Sequence, residues 1–500
     1  MPVMTNFADR ACLTAGAALC LALSAGPAWP VQSDDAPRWL AGDHHVHSRY
    51  SVSWDESVDP PAPVLAGDAR YAIWDNAERG RSFGLDWMVA TDHGGPNHSR
   101  LNYEIAYPEL LESRRRVPEV IQFWGMEFDT PGAQHSSLII PHSPDEAEHL
   151  RAVESQYSRR EPWPADPAWD TEARMTEALE FMRDELPLPP IVISNHPGRS
   201  APSVGAFGNI TPAELRAWND TAPDIAIGME GAPGHQARAI NPAGEAMLDG
   251  ERGGYRRSPT WGGFDPLTAQ VGGFWDFMLG EGRHWWVTAT SDSHTNWRDG
   301  GGDFWPGEYA KTYVFARHDH ASIMDALRSG RIFVTTGDLI DELDVVATDG
   351  AGRDAARIGE TLSISPGSDV RVRIRFRDPD GDNAHGDNPA VSRLDVIAGP
   401  IAGRAEDGAP AVHDQARVAA RFDETSWGRD GERVSVELVF EDVQQAFYVR
   451  VRGTNTGEME PEPDPPGEDP WSDLWFYANP VFVEVRPAGA DAGATGPDPV

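Results

Sequence analysis

Trp39-Leu40-Ala41-Gly42-Asp43-His44-His45-Val46-His47-Ser48 decides how the first part of the chain is read. The apolar run Trp39 to Gly42 has the character of a strand, and it leads straight into two histidines separated by one residue. Alternate side chains of a strand leave the same face, so His45 and His47 can grip one cation together.

Outward from there the arrangement recurs. Further strands are expected at Leu85 to Ala90, Val120 to Gly125, Ser136 to Ile140, Pro190 to Ser194, Ile225 to Met229 and Trp286 to Thr290. Helices are expected over Tyr71 to Phe83, over Thr171 to Arg183, and from Thr211-Pro212-Ala213-Glu214, where Thr caps, Pro suits the first turn and Glu can reach back. This alternation, from about Trp39 to Phe315, predicts an α/β region with a mostly parallel sheet or barrel. At the strand ends stand Thr91-Asp92-His93, Gly125-Met126-Glu127, His135, Asn195-His196-Pro197-Gly198 and Ser291-Asp292-Ser293-His294. In a barrel of parallel strands such positions converge on one mouth. His45, His47, His93, His135, His196 and His294, with Glu127 and Asp292, exceed what one ion needs, so two or three divalent metal ions are expected.

The rest of the composition narrows the chemistry. A net charge of -37 over 500 residues excludes a nucleic-acid-coating role, which needs Lys and Arg against the phosphates. Small anionic substrates stay open if metal ions supply positive charge. Lys311 is the sole lysine, which leaves Schiff-base chemistry a single candidate. Arg10, the apolar run Ala11 to Ala25 and the small residues Gly26-Pro27-Ala28 predict a cleaved export signal over 1–28 and a periplasmic or secreted protein. The run is shorter than the ~20 residues that span a bilayer, so no integral membrane segment is expected in the mature chain. Cys12 and Cys20 both fall inside it, leaving His, Asp and Glu as the strong metal ligands.

Beyond Gly337 the period changes to two, as in Val370-Arg371-Val372-Arg373-Ile374-Arg375-Phe376-Arg377, with more strands at Val434 to Phe440, Phe447 to Val451 and Val481 to Val485. An antiparallel β-sandwich over 338–487 is expected after an α/β unit over 38–337. The acidic, proline-rich run Glu458 to Pro470 reads as a solvated loop, and 488–500 as a disordered tail.

Asp43-His44-His45-Val46-His47-Ser48 resembles the opening D-x-H-x-H-[ST] motif of the PHP (polymerase and histidinol phosphatase) superfamily of metal-dependent phosphoesterases. Thr91-Asp92-His93 looks like its TDH, Gly125-Met126-Glu127 its G-x-E, Asn195-His196-Pro197-Gly198 its HPG and Ser291-Asp292-Ser293-His294 its S-D-x-H, in the family's order from Trp39 to Arg331. The resemblance implies a distorted (β/α)7 barrel, with Mn, Fe or Zn as the metal. It places one ion on His45, His47, Glu127 and Asp292, a second on Glu127, His135 and His196, and a third on His93 and His294. One further ligand, expected soon after the H-x-H, is out of register: Val52 and Ser53 occupy that region, and Asp55 is the nearest substitute. Asp292, Glu127 and His294 are the expected catalytic members, with a water bridging two cations as the nucleophile on a small phosphate ester. Arg49 and Arg199 are candidates for gripping the substrate anion. An export signal with a C-terminal β-domain also resembles the CehA/McbA-type branch, which includes carboxylester and carbamate hydrolases. That makes the carboxyl ester the alternative substrate, and a non-catalytic envelope-binding scaffold the third reading.

Other patterns are set aside. Gly80-Arg81-Ser82-Phe83-Gly84 fits G-x-S-x-G but ends a helix, the reverse of a nucleophile elbow. His318-Asp319-His320 reads as helix-start polarity, Asp378-Pro379-Asp380-Gly381-Asp382-Asn383 as an acidic turn without the distal Glu of a calcium loop, and Arg371 to Arg377 as a solvated face.

Overall fold

The computed structural model describes residues 36–486; the expected export signal, both cysteines and the expected tail lie outside them. The strands of the first part are β1 (Arg38–Val46), β2 (Ser53–Asp55), β3 (Ala62–Val64), β4 (Trp87–Ala90), β5 (Ile121–Asp129), β6 (His135–Ile140), β7 (Ile191–Ser194), β8 (Ala226–Ala232), β9 (Trp286–Ala289), β10 (Ala310–Ala316) and β11 (Ile332–Thr336). There follow β12 (Glu342–Asp349), β13 (Ala355–Arg357), β14 (Thr361–Ile364), β15 (Ser368–Arg377), β16 (Arg393–Pro400), β17 (Arg417–Asp423), β18 (Gly428–Asp430), β19 (Arg433–Val443), β20 (Phe447–Thr454), β21 (Trp475–Ala478) and β22 (Val481–Val485).

The chain is mixed α/β, dominated by a 15-stranded mixed sheet in the order β14-β22-β20-β21-β11-β10-β1-β4-β5-β6-β7-β8-β9, with β16 on β20 and β17 on β16. Strands β1, β4 and β5 are parallel, as are β7, β8 and β9, while β6 runs against both its neighbours. The C-terminal ends of six strands therefore meet one edge, to which β6 contributes its first residue, His135. Strands β4, β7, β8 and β9 are buried throughout, as expected of strands covered on both faces. Gly42 is required here: a Cβ on β1 would overlap the Trp87 indole of β4, which is wholly buried. Helices Ile73–Ser82, Glu172–Asp184 and Pro212–Thr221 lie within a residue or two of the expected spans, and Thr211 and Glu214 form the expected capping box.

The last strand of the path, β9, comes back against β10 and β1. The Ala289 amide donates to Thr312 Oγ1 of β10 at 2.8 Å, and that hydroxyl donates to Ala289 O at 2.7 Å. Just beyond, the His47 amide donates to Ser293 O at 3.1 Å. His44, on β1, reaches Ser137 of β6 at 3.0 Å and Thr288 of β9 at 2.7 Å.

Two features were not expected from the sequence. Strand β11 pairs with β21, so one sheet includes residues from both sides of position 337, and β10 and β11 join the two parts. The acidic run Glu458 to Pro470 is anchored, not free. Asp464 accepts from Thr260 Oγ1 at 2.5 Å and from the Gly262 and Gly263 amides at 2.6 and 3.0 Å, and buried Arg252 pairs with Glu468 and Asp473. The five-stranded antiparallel sheet β13-β12-β15-β19-β18 shows the expected alternation, with Val370, Val372, Ile374 and Phe376 buried and Arg371 and Arg373 exposed on Glu437. Phe376 meets Phe476 of the large sheet at 5.8 Å. Among the described residues, no helix is long and apolar enough to cross a membrane.

Candidate metal centre

At the shared strand edge, His45, His47, Glu127 and Asp292 form a buried floor. His45 Nε2 lies 3.2 Å from Glu127 Oε1 and 3.2 Å from Asp292 Oδ1, and His47 Nε2 lies 3.1 Å from Asp292 Oδ1. The two Nε2 atoms are 2.9 Å apart. Their outer nitrogens are already engaged. His45 Nδ1 meets Glu230 Oε1 at 2.6 Å, and a carboxylate can only accept, so Nδ1 carries the hydrogen. Ser51 gives its own hydrogen to Asp92 Oδ1 at 2.8 Å, so His47 Nδ1, at 2.7 Å from Ser51 Oγ, must donate as well. Two lone pairs therefore face one another, and only a proton or a cation between them makes that arrangement stable. Asp292 Oδ1 points into the same space and, among the described residues, has no hydrogen-bond partner.

Without an ion, a proton would fill the gap. Burial opposes charge on His45, but Asp292, Glu230 and Glu127 outweigh it and hold its pKa well above the ordinary value. Burial and the neighbouring His294 push His47 down to about 3, so it is the acceptor. Burial works against the charge of Glu127 and of Asp292 too, yet the surrounding histidines hold both well below the usual carboxylate range.

Glu127 Oε1 also meets His135 Nδ1 at 2.9 Å and His196 Nε2 at 3.1 Å. Nearer the opening, His93 Nε2 lies 2.5 Å from Asp68 Oδ2, which His294 Nε2 approaches at 3.5 Å. His235 Nε2 lies 3.1 Å from Asp292 Oδ2. Four groups at this edge are close enough to hold an ion: His45, His47 and Glu127; Glu127, His135 and His196; His47, His93 and His294; and His235, Asp292 and His294. His47 has only Nε2 to give, so it could serve one ion at a time, and Asp68 Oδ2 lies beside His93 and His294.

The expected ligands His45, His47, His93, Glu127, His135, His196, Asp292 and His294 are thus gathered from strands far apart in sequence. Asp55 is not among them: it lies on β2, exposed, accepting from Ser57. Asp68 lies beside His93 and His294 instead, on the far side of the ribbon β2–β3 from the H-x-H. His235 was missed although it follows a strand like the others; β8 runs on to Ala232, three residues past its expected end. Glu230, inside β8, and Asp303, which takes His235 Nδ1 at 2.5 Å and the His294 and Thr295 amides at 2.8 and 3.0 Å, carry no spacing signal.

The backbone is strained at the site. His196, His235 and Asp292 have φ of 31°, 57° and 45°, a region costly for residues with a Cβ. Neighbours hold them there: the His196 amide donates to Glu230 Oε2 at 2.6 Å, and Gly234 is required because a Cβ would overlap Asp292. Asp92 accepts from the Ser48 amide at 2.6 Å and from Ser48 Oγ at 2.7 Å, locking the turn after the H-x-H. Glu230 orients two ligands at once, so Glu230→Gln is expected to weaken metal binding about 10- to 100-fold, the scale of such outer partners. Competition with a chelating dye measures it, and unchanged affinity would remove Glu230 from this role.

Arg199 Nη2 donates to Asp292 Oδ2 at 3.0 Å and is 22% exposed, at the mouth. Arg49 instead pairs with Glu109 and lies over the Trp74 ring, engaged in joining helices. The patterns set aside fall elsewhere. Ser82 Oγ bonds Arg79 O, Asp319 caps helix His320–Arg328, and Asp378 pairs with Arg429. Lys311 is bound to Asp338 at 2.5 Å. No family model matches the chain, and no curated protein matches it.

Proposed function

We propose that this protein is a metal-dependent hydrolase of a phosphate ester, exported by its leader. In this reading it is built as the distorted barrel of the PHP superfamily with an appended β-sandwich. The observation that carries the reading is the pair of imidazole nitrogens at 2.9 Å whose outer nitrogens are both committed as donors, facing an unpartnered carboxylate oxygen. A cation fits that space and nitrogen and oxygen donors of this kind suit Mn, Fe and Zn. His45, His47, Glu127 and Asp292 would hold one ion, Glu127, His135 and His196 a second, and Asp68, His93 and His294 a third. When bound, such ions supply positive charge to the attacked group and lower the pKa of water.

The chain's own side chains do the rest. The surrounding histidines keep the Asp292 carboxylate ionised, so it would orient an attacking water beside the ion it holds. Glu230, Asp92 and Asp303 hold the rings of His45, His47 and His235 in orientation, through Ser51 in the case of Asp92. Arg199 presents a guanidinium beside Asp292, where an oxygen of the substrate anion would lie.

A panel of phosphate mono- and diesters and carboxyl esters, with Mn or Zn added, tests the reading. Metal-dependent cleavage of a phosphate ester is expected, with His196→Ala inactive. Arg199→Ala should raise KM about tenfold, the scale of one charge-assisted hydrogen bond. Turnover of p-nitrophenyl acetate alone would replace the phosphate by a carboxyl or carbamate ester, and no metal-dependent turnover would leave a binding scaffold; either result overturns the phosphoesterase.

A further inference from the structure

Beside the metal centre lies a cavity of about 530 Å³, walled by the ribbon β2–β3, the loop after His93 and the segment 159–170. That volume suits a small ligand. One carboxylate ties it to the centre: Asp129 Oδ1 is 3.5 Å from Arg160 Nη1 on the cavity side and 3.5 Å from His135 Nε2 on the other. The ribbon is strapped across it, since Trp163 Nε1 donates to Asp59 Oδ1 at 2.6 Å.

The lining states what the ligand is. Trp54 and Trp163 supply flat aromatic faces, with prolines stiffening the walls. Arg159 and Arg160 face Glu56, Asp166 and Asp170, two positive charges against three negative, so the lining offers no field for an ion of either sign. A purely hydrocarbon or aryl group would take water from those charged side chains without replacing its hydrogen bonds, which is costly. Their existing bonds leave room for more. Arg159 reaches Asp170 only at 3.6 Å, and Asp166 and Asp170 each use one oxygen, on the Ala168 and Gly132 amides. A ring bearing several hydroxyls satisfies both signs, because each hydroxyl donates and accepts, and its carbon face packs on indole.

We infer that this cavity binds the alcohol part of the substrate and that this part is a neutral polyhydroxylated ring, a sugar. The inference rests on the proposed function only in placing the ester at the metals, so its test is one of binding without turnover. Methyl glucoside, methyl galactoside, methyl mannoside, N-acetylglucosamine, maltose and cellobiose are titrated calorimetrically into the full chain and into three variants. At least one sugar should bind the wild type. Trp54→Ala should weaken it tenfold or more and Arg160→Ala severalfold, and His45→Ala should bind it as the wild type does. Because the Arg160 side chain is 40% exposed, that variant keeps the test open if Trp54→Ala does not fold. No sugar binding tighter than about 10 mM, or binding indifferent to both cavity substitutions, overturns the inference. Sugar binding in a protein that hydrolyses no ester would overturn the proposed function and leave the sugar site standing.

Discussion

Glu127→Ala is expected to abolish hydrolysis, by about 10⁴-fold or more, the scale of losing a central member of a catalytic constellation, and to lower the bound metal by at least one equivalent. Glu127 sits in two of the groups able to hold an ion, and its Oε1 lies within 3.2 Å of His45, His135 and His196. Steady-state rates together with metal content check it, and a variant retaining both would show that Glu127 bridges nothing. The outcome separates a ligand from a structural carboxylate, because Glu127→Gln keeps shape and burial but loses the charge and should fail almost as completely.

Metal removal should reverse the protein's response to pH. Without ions, His135 and His294 are pushed up to about 9: burial opposes their charge, and Glu127 and Asp129 in one case, Asp68 and Asp292 in the other, outweigh it. Both pKa values are raised above the unfolded value of about 6.5, so the stability they contribute is fully present below that pH and is lost as pH rises through 9. Chelated protein should therefore melt at progressively lower temperature from pH 6.5 to 9. An ion displaces those protons, so affinity should rise over the same interval, and protein with metal at 1,000 times its Kd should gain about 4 kcal/mol. Melting curves with chelator and with Mn or Zn measure the divergence. Parallel curves at every pH would mean that no proton is exchanged for an ion.

The sequence made strand ends and the side chains gathered at them readable, because both are local. A strand has period two, and a ligand that follows it needs no knowledge of the rest of the fold. His45 and His47 stand two apart and cannot be disguised. Asp68 was concealed by length: the ribbon β2–β3 pushes it well past the place where a ligand was sought, and Asp55 lies on that very ribbon. His235 was concealed by a strand longer than its apolar run, since β8 continues through Glu230 and Gly231. The continuity of the sheet through β10, β11 and β21 was not readable at all, because pairing between residues such as Thr335 and Phe476 has no local signature. Asp464, Glu468 and Asp473 illustrate the same point from the other side. Acidic, proline-rich composition predicts solvation, and Arg252, far away in sequence, supplies the partner that prevents it.

The central claim is that charge missing from a cage of imidazole and carboxylate groups is supplied by ions. Elemental analysis of the full chain, purified without chelators, tests it most directly. About two or three equivalents of Mn, Fe or Zn are predicted, falling to one or fewer in Glu127→Ala. Folded wild-type protein that carries less than one equivalent, and takes up none when dialysed against Mn or Zn at pH 8, would contradict the account.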